Sequence, residues 1–61
     1  MSYQFDRAVE FIEDYVEQNH DFKHYAEIED DIINTLDCMG LDIDSSSAGK
    51  IINEEFEKYI D

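Results

Sequence analysis

Residues 5–16 read Phe-Asp-Arg-Ala-Val-Glu-Phe-Ile-Glu-Asp-Tyr-Val, and this stretch decides the fold class. Its apolar residues recur at intervals of three and four, the spacing of one face of an α-helix. The members of that stripe are Phe5, Ala8, Val9, Ile12 and Val16. The pattern predicts an amphipathic helix over about residues 2–18, with Ser2 as its N-cap and Asn19 as a left-handed stop.

Acidic residues occupy the other side of this first helix. At about 100° per residue, five carboxylates share an arc of about 100° that lies nearly opposite the apolar stripe. They are Asp6, Glu10, Glu13, Asp14 and Glu17. Phe11 and Tyr15 lie on a flank near this arc, where we expect them to supply an aromatic anchor to a charged interface.

The same periodicity predicts a second helix over about residues 22–39, starting at Phe22 or Tyr25 and capped by Asp21. Gly40 stands where a helix commonly closes in left-handed backbone, with Leu41 as its hydrophobic closing contact. The apolar stripe of this helix comprises Tyr25, Ile28, Ile32, Leu36 and Met39. Its opposite face carries Glu27, Asp30, Asp31 and Asp37.

A third helix is predicted over about residues 46–60, capped by one of the serines at 45–47. Its expected core stripe comprises Ala48, Ile51, Ile52, Phe56, Tyr59 and Ile60. Three short amphipathic helices with short connections indicate an all-α protein, a small three-helix bundle formed by a single domain, 1–61. The short connections favour antiparallel neighbours.

The charge balance excludes several classes of partner. Among 61 residues, 17 acids against four Lys/Arg give a formal net charge of −13. Nucleic acid and anionic membrane surfaces would be repelled, so we expect neither to be bound directly. No apolar run approaches the roughly 20 residues of a membrane span, and no secretory signal begins the sequence, so we expect a cytoplasmic protein. Cys38 is the single cysteine, which excludes an intrachain disulfide.

Glu29 and Glu55 interrupt the apolar arcs of the second and third helices. A carboxylate in such an arc destabilises the fold unless it is paired or keeps its head group in water. Two interpretations stay open: an edge position on the arc, or an arc that faces a partner chain.

No motif predicts catalysis or a cofactor. His20 and His24 have the spacing of a zinc-binding pair, but Asn19 and Asp21 predict a helix break there, so we expect no metal site. Residues 44–55 fit the skeleton of an EF-hand loop, with Asp44 first, Gly49 sixth and Glu55 twelfth. Ala48 stands at a ligand position of that loop, and calcium binding is left open.

The uncompensated charge gives the leading hypothesis. Acids one turn apart along a helix are separated by about 6 Å of axial rise. Two rows of such acids, one on each of the first two predicted helices, would present negative charge as a nucleic-acid backbone does. In size and charge the chain resembles phage-encoded DNA-mimic proteins, the anti-restriction and anti-CRISPR inhibitors. This resemblance implies a non-enzymatic inhibitor that occupies the basic nucleic-acid channel of a target protein, in a host cytoplasm.

The alternative hypothesis is a helical interaction module. It would bind a partner helix or a second copy of itself through an apolar interface that uses Phe11, Ile33, Ile60 and the arcs around Glu29 and Glu55. Salt separates the two hypotheses, because screening weakens charged interfaces far more than apolar ones.

Overall fold

The computed structural model describes residues 3–41 and 43–60. It contains α1 (Tyr3–Gln18), a 3-10 turn (Phe22–His24), α2 (Tyr25–Cys38) and α3 (Ser45–Glu57). These residues form a three-helix bundle without strands, which confirms the all-α prediction. The proposed cap Ser2 lies outside the described residues.

The end of α1 differs from the expectation. The helix stops before Asn19 as predicted, but no residue other than glycine has positive φ among those described. The Asn19 side-chain amide instead donates to the Tyr15 carbonyl at 3.1 Å. Nδ1 of His20 lies 3.0 Å from the Val16 carbonyl and 3.1 Å from that of Glu17. Two side chains therefore satisfy the free carbonyls that a left-handed residue would otherwise satisfy.

The start of the second helical segment is a 3-10 turn rather than an α-helix. Asp21 caps this turn by accepting from the Lys23 N–H at 3.0 Å, and α2 proper begins at Tyr25. At the C-terminal end of α2, the predicted left-handed closure at Gly40 is confirmed. Gly40 has φ +76°, its N–H donates to Asp37, and the Leu41 N–H donates to the Leu36 carbonyl at 3.1 Å. This pair of bonds is a Schellman motif.

The cap of α3 is Asp44, so the prediction of a serine cap was wrong. The Asp44 carboxylate accepts from the Ser47 N–H at 2.7 Å, and Ser45 is already the first helical residue. Extended backbone at Asp44, with ψ 160°, places its side chain over the first turn. The bond to the Ser47 backbone lowers the pKa of the Asp44 carboxyl.

The core is formed by three residues from the apolar stripe of each helix. They are Ala8, Ile12, Val16, Ile28, Ile32, Leu36, Ala48, Ile52 and Phe56, all buried. α1 packs more extensively on α3 than on α2. Phe56 also contacts the rings of Phe22 and Tyr25, with centroids 5.3 and 4.6 Å away, so the 3-10 turn is held against α3.

Four residues predicted in the stripes are largely exposed, and all lie near helix ends. Phe5 is 44% exposed and borders an open depression beside α3, and Met39 is 41% exposed where α2 has ended at Cys38. Tyr59 and Ile60 are 36% and 61% exposed because α3 ends at Glu57, so the helical spacing does not continue to them. The Tyr59 ring instead stacks on His20 at 4.1 Å.

Candidate functional site

The acids predicted on the first helix form one exposed surface, the α1 acidic face. Its members are Asp6, Glu10, Glu13, Asp14 and Glu17, and every one is exposed. Within the described part of the chain, no Lys or Arg forms an ion pair with any of them. Arg7, which lies on the same helix, hydrogen-bonds the Tyr3 hydroxyl at 3.1 Å instead. The face therefore keeps its negative charge.

The acids of α2 are also exposed, and they differ in what they border. Glu27 and Asp31 line a groove shared with α1. Asp37 borders a different depression, between α2 and α3, while Asp30 accepts a long hydrogen bond from Asn34 at 3.5 Å. The four acids still share one face of α2, and only Glu27 and Asp31 on that face border the groove.

That shared space, the α1–α2 groove, is an open depression of about 530 Å³. Its lining includes Tyr15 and Gln18 from α1, Asp21 from the connection, and Glu27, Ile28 and Asp31 from α2. Of the eleven residues predicted to bind a partner, the structure brings Tyr15, Glu27 and Asp31 together here. Gln18 and Asp21 were missed by the sequence analysis, because no local pattern shows that a helix end and a loop face the next helix.

Phe11 and Tyr15 are less available than expected for a surface anchor. Both are half-buried against the core, and their ring centroids lie 5.7 Å apart. Phe11 therefore supports Tyr15 from the side. Of these two aromatic residues, Tyr15 lines the α1–α2 groove and Phe11 does not.

Glu55 is buried and paired. It is 8% exposed, and its carboxylate lies 3.0 Å from the Lys58 amine. Hydrogen bonding and attraction to Glu55, with a smaller contribution from Glu13 on α1, raise the pKa of Lys58. Neither earlier interpretation of Glu55 describes this arrangement, since the carboxylate is satisfied within its own chain.

Glu29 is half-buried between α2 and α3. Its Oε2 lies 3.2 Å from the position that a Cβ on Gly49 would occupy, so the glycine leaves room for the carboxylate. Burial and, secondarily, the charge of Glu29 raise the pKa of Tyr25. The carboxylate is therefore accommodated by the neighbouring helix.

The two histidines do not form a metal pair. His20 belongs to the end of α1, whereas His24 lies 3.5 Å from Glu27 and 3.9 Å from Asp21 through different ring nitrogens.

Residues 45–57 are helical, which is incompatible with an EF-hand loop wrapped around calcium. Among the residues that the structure describes, no group of three His, Cys, Asp or Glu could hold a metal ion.

Among the described residues, none of the three α-helices has both the length and the apolar composition that a membrane span requires. Comparison of the sequence and fold with protein-family models, curated proteins and solved structures gives no significant match. The most extensive chemical feature of the described surface is the set of carboxylates on α1 and α2 that no Lys or Arg neutralises.

Proposed function

We propose that this chain is a non-enzymatic inhibitor that mimics nucleic acid and occupies the basic channel of a nucleic-acid-binding protein. The observation that supports this most is the state of the nine predicted carboxylates on α1 and α2. All nine are exposed, and none forms an ion pair with Lys or Arg in the described part of the chain. A surface that served only solubility would intersperse cations among them.

The charge density of the two helices supports the comparison with DNA. α1 and α2 together contain ten acids and one base. Over the roughly 24 Å length of α1, nine net charges correspond to about one per 2.7 Å. Duplex DNA carries about one per 1.7 Å. The two helices thus approach the charge density of a duplex within a factor of about two.

The size of the molecule also suits a channel built for a short duplex. Its longest dimension is 32 Å, which is the length of about nine steps at 3.4 Å. Because the field of so many like charges extends beyond contact distance, association with a basic channel would be fast and strongly dependent on salt. Anti-restriction and anti-CRISPR inhibitors of phages are the functional class with this combination, and a host cytoplasm is the corresponding location.

The test compares two variants with equal charge change. Glu10→Lys/Glu17→Lys reverses two charges on the α1 acidic face, and Glu54→Lys/Glu57→Lys reverses two exposed charges on α3. Tagged versions are used to capture proteins from a bacterial lysate, with duplex DNA as competitor and at two salt concentrations. We expect the unmodified chain and the α3 variant to retain one nucleic-acid enzyme that DNA and salt displace, and the α1 variant to lose it. Equal retention by both variants, or retention that ignores DNA, would contradict the proposal.

An apolar interaction module is the second candidate. Tyr3 and Ile60 are 72% and 61% exposed, which supports an apolar contact with a partner helix or a second copy. Phe11 and Ile33, which that hypothesis also used, pack against the core of their own chain instead. Light scattering across protein concentration and salt separates this candidate. The apolar module predicts self-association that persists in high salt, whereas the mimic proposal requires no self-association.

A further inference from the structure

We infer that the α1–α2 groove is the place where this chain receives an arginine side chain of its partner. The inference rests on the proposed function and deepens it, because it assigns the central contact of the mimic to one site. The remaining carboxylates then provide long-range attraction, while the groove provides the directional contact.

The groove brings aromatic, aliphatic, amide and carboxylate side chains together in one open depression. Its volume of about 530 Å³ lies within the range of 300–1,000 Å³ found for small-ligand pockets. Tyr15 and Ile28 supply aromatic and aliphatic surface, and Gln18 supplies an amide. Its walls come from α1, α2 and their connection, so the depression exists only in the folded chain.

The aromatic wall is fixed in place. Tyr15 is half-buried against the core and is flanked by Phe11 at a centroid distance of 5.7 Å. The adjoining Ile28 is 8% exposed and belongs to the core. A planar cation that stacks on Tyr15 therefore meets a ring that needs little reorganisation to bind it.

Three carboxylates line the groove together with two histidines, His20 and His24. Asp21, Glu27 and Asp31 line it, and no Lys or Arg does. His24 lies near the first two, with one ring nitrogen 3.9 Å from Asp21 and the other 3.5 Å from Glu27. Asp31 has no ion-pair partner among the described residues, which leaves a carboxylate beside the aromatic wall for an incoming cation.

Arginine fits this arrangement better than lysine or a metal ion. A guanidinium stacks on an aromatic ring and at the same time donates two parallel hydrogen bonds to a carboxylate. An ammonium is a compact, strongly hydrated point charge, with no planar face to stack on the ring and no fork of donors to match the carboxylate. A divalent metal requires a convergent set of ligands, which the described residues do not provide.

The first experiment is an NMR titration of the full, isotopically labelled chain with ethylguanidinium chloride, repeated with ethylammonium chloride at constant ionic strength. We expect saturable shifts centred on the backbone amides around Tyr15, Gln18 and Asp31 with ethylguanidinium, and weaker, dispersed shifts with ethylammonium. Equal shifts from both cations, or shifts spread over all acidic surfaces, would overturn the inference.

Matched variants on one helix make the test specific. Glu27→Gln/Asp31→Asn removes two carboxylates from the groove, and Asp30→Asn/Asp37→Asn removes two that do not line it. The net charge changes equally in both, and all four residues are exposed, so both variants should fold. We expect the localised guanidinium shifts to disappear only in the groove variant. Their persistence in that variant would contradict the inference.

The lysate capture assay separates this inference from the proposed function. If the groove variant retains the target as well as its matched control, while Glu10→Lys/Glu17→Lys loses it, the groove assignment fails and the mimic proposal stands. If Glu10→Lys/Glu17→Lys retains the target, the mimic proposal fails, and the arginine assignment that rests on it fails too. If the groove variant and the α1 variant each lose the target while the matched control retains it, the groove assignment and the mimic proposal are both supported.

Discussion

Replacing Glu10 by Gln should make the protein more stable. Glu10 lies one helical turn from Asp6, Glu13 and Asp14, and all four side chains are exposed. Like charges at this spacing cost about 0.2–0.5 kcal/mol per pair, so removing three repulsions gives about 0.6–1.5 kcal/mol. Glu10 also attracts Arg7 weakly, and losing that attraction reduces the gain. Helix propensity hardly changes, since Glu and Gln are close in rank.

Thermal unfolding followed by circular dichroism measures this effect. For a domain of this size, the free-energy gain corresponds to a rise in Tm of about 2–12 °C at low ionic strength. In 1 M salt the Debye length falls to about 3 Å, which is shorter than the separation of the charges, so the gain should vanish. A rise that survived 1 M salt would refute the reasoning that these carboxylates repel one another.

Glu54→Gln is the matched control for this prediction. Glu54 is an exposed helical glutamate that stands four residues after Lys50 and four before Lys58. Its neutralisation removes two attractions, to Lys50 and Lys58, against one repulsion, from Glu57, so Tm should stay constant or fall. A similar rise in both variants would mean that net charge, and not the local arrangement on α1, sets the stability. Because Glu10 also belongs to the proposed binding surface, the first prediction implies that this chain carries charge that its fold does not need.

Four further predictions test the fold. Ile52→Ala opens a cavity at a fully buried site and should cost about 2–5 kcal/mol, enough to unfold much of so small a domain, as calorimetry would show. Gly40→Ala should lower stability by about 1–2 kcal/mol in urea titrations, because its φ of +76° opposes a side chain. Gly49→Ala should raise stability by up to about 1 kcal/mol in the same titrations, since only the flexible end of Glu29 must move. Asp44→Ala should lower Tm more than Asp44→Asn, which can still cap. The folded pKa of Asp44 is depressed, so its cap stabilises fully above pH 3.8 and weakens as the pH falls through the folded pKa. A Tm difference between unmodified protein and Asp44→Ala that stayed constant down to the most acidic pH would contradict this.

The sequence predicted the helices because their signals are local. The stripe from Ala8 to Val16 and the closure at Gly40 each depend on residues within one or two turns, so periodicity and capping rules suffice. The predictions from sequence were wrong where two local capping rules applied to neighbouring residues. Asp44 rather than a neighbouring serine became the cap, since both residue types can cap and only the backbone path decides between them.

The candidate site was predictable only in part. Exposure of the α1 acidic face follows from helix geometry, because a face opposite the apolar stripe must point to water. Which of the α2 acids line the α1–α2 groove did not follow, since it depends on where α1 packs on that helix. The same is true of Glu55, whose burial beside Lys58 contradicts the general preference of carboxylates for the surface.

The sequence by itself determined an all-α fold, its three helices and an excess of negative charge, since composition and periodicity are properties of the chain before it folds. Only the tertiary structure decided which carboxylates meet Tyr15 in a groove, which one becomes buried beside a lysine, and which remain in water. Those outcomes depend on the contacts between helices, where residues far apart in the sequence are brought within a few ångströms by packing.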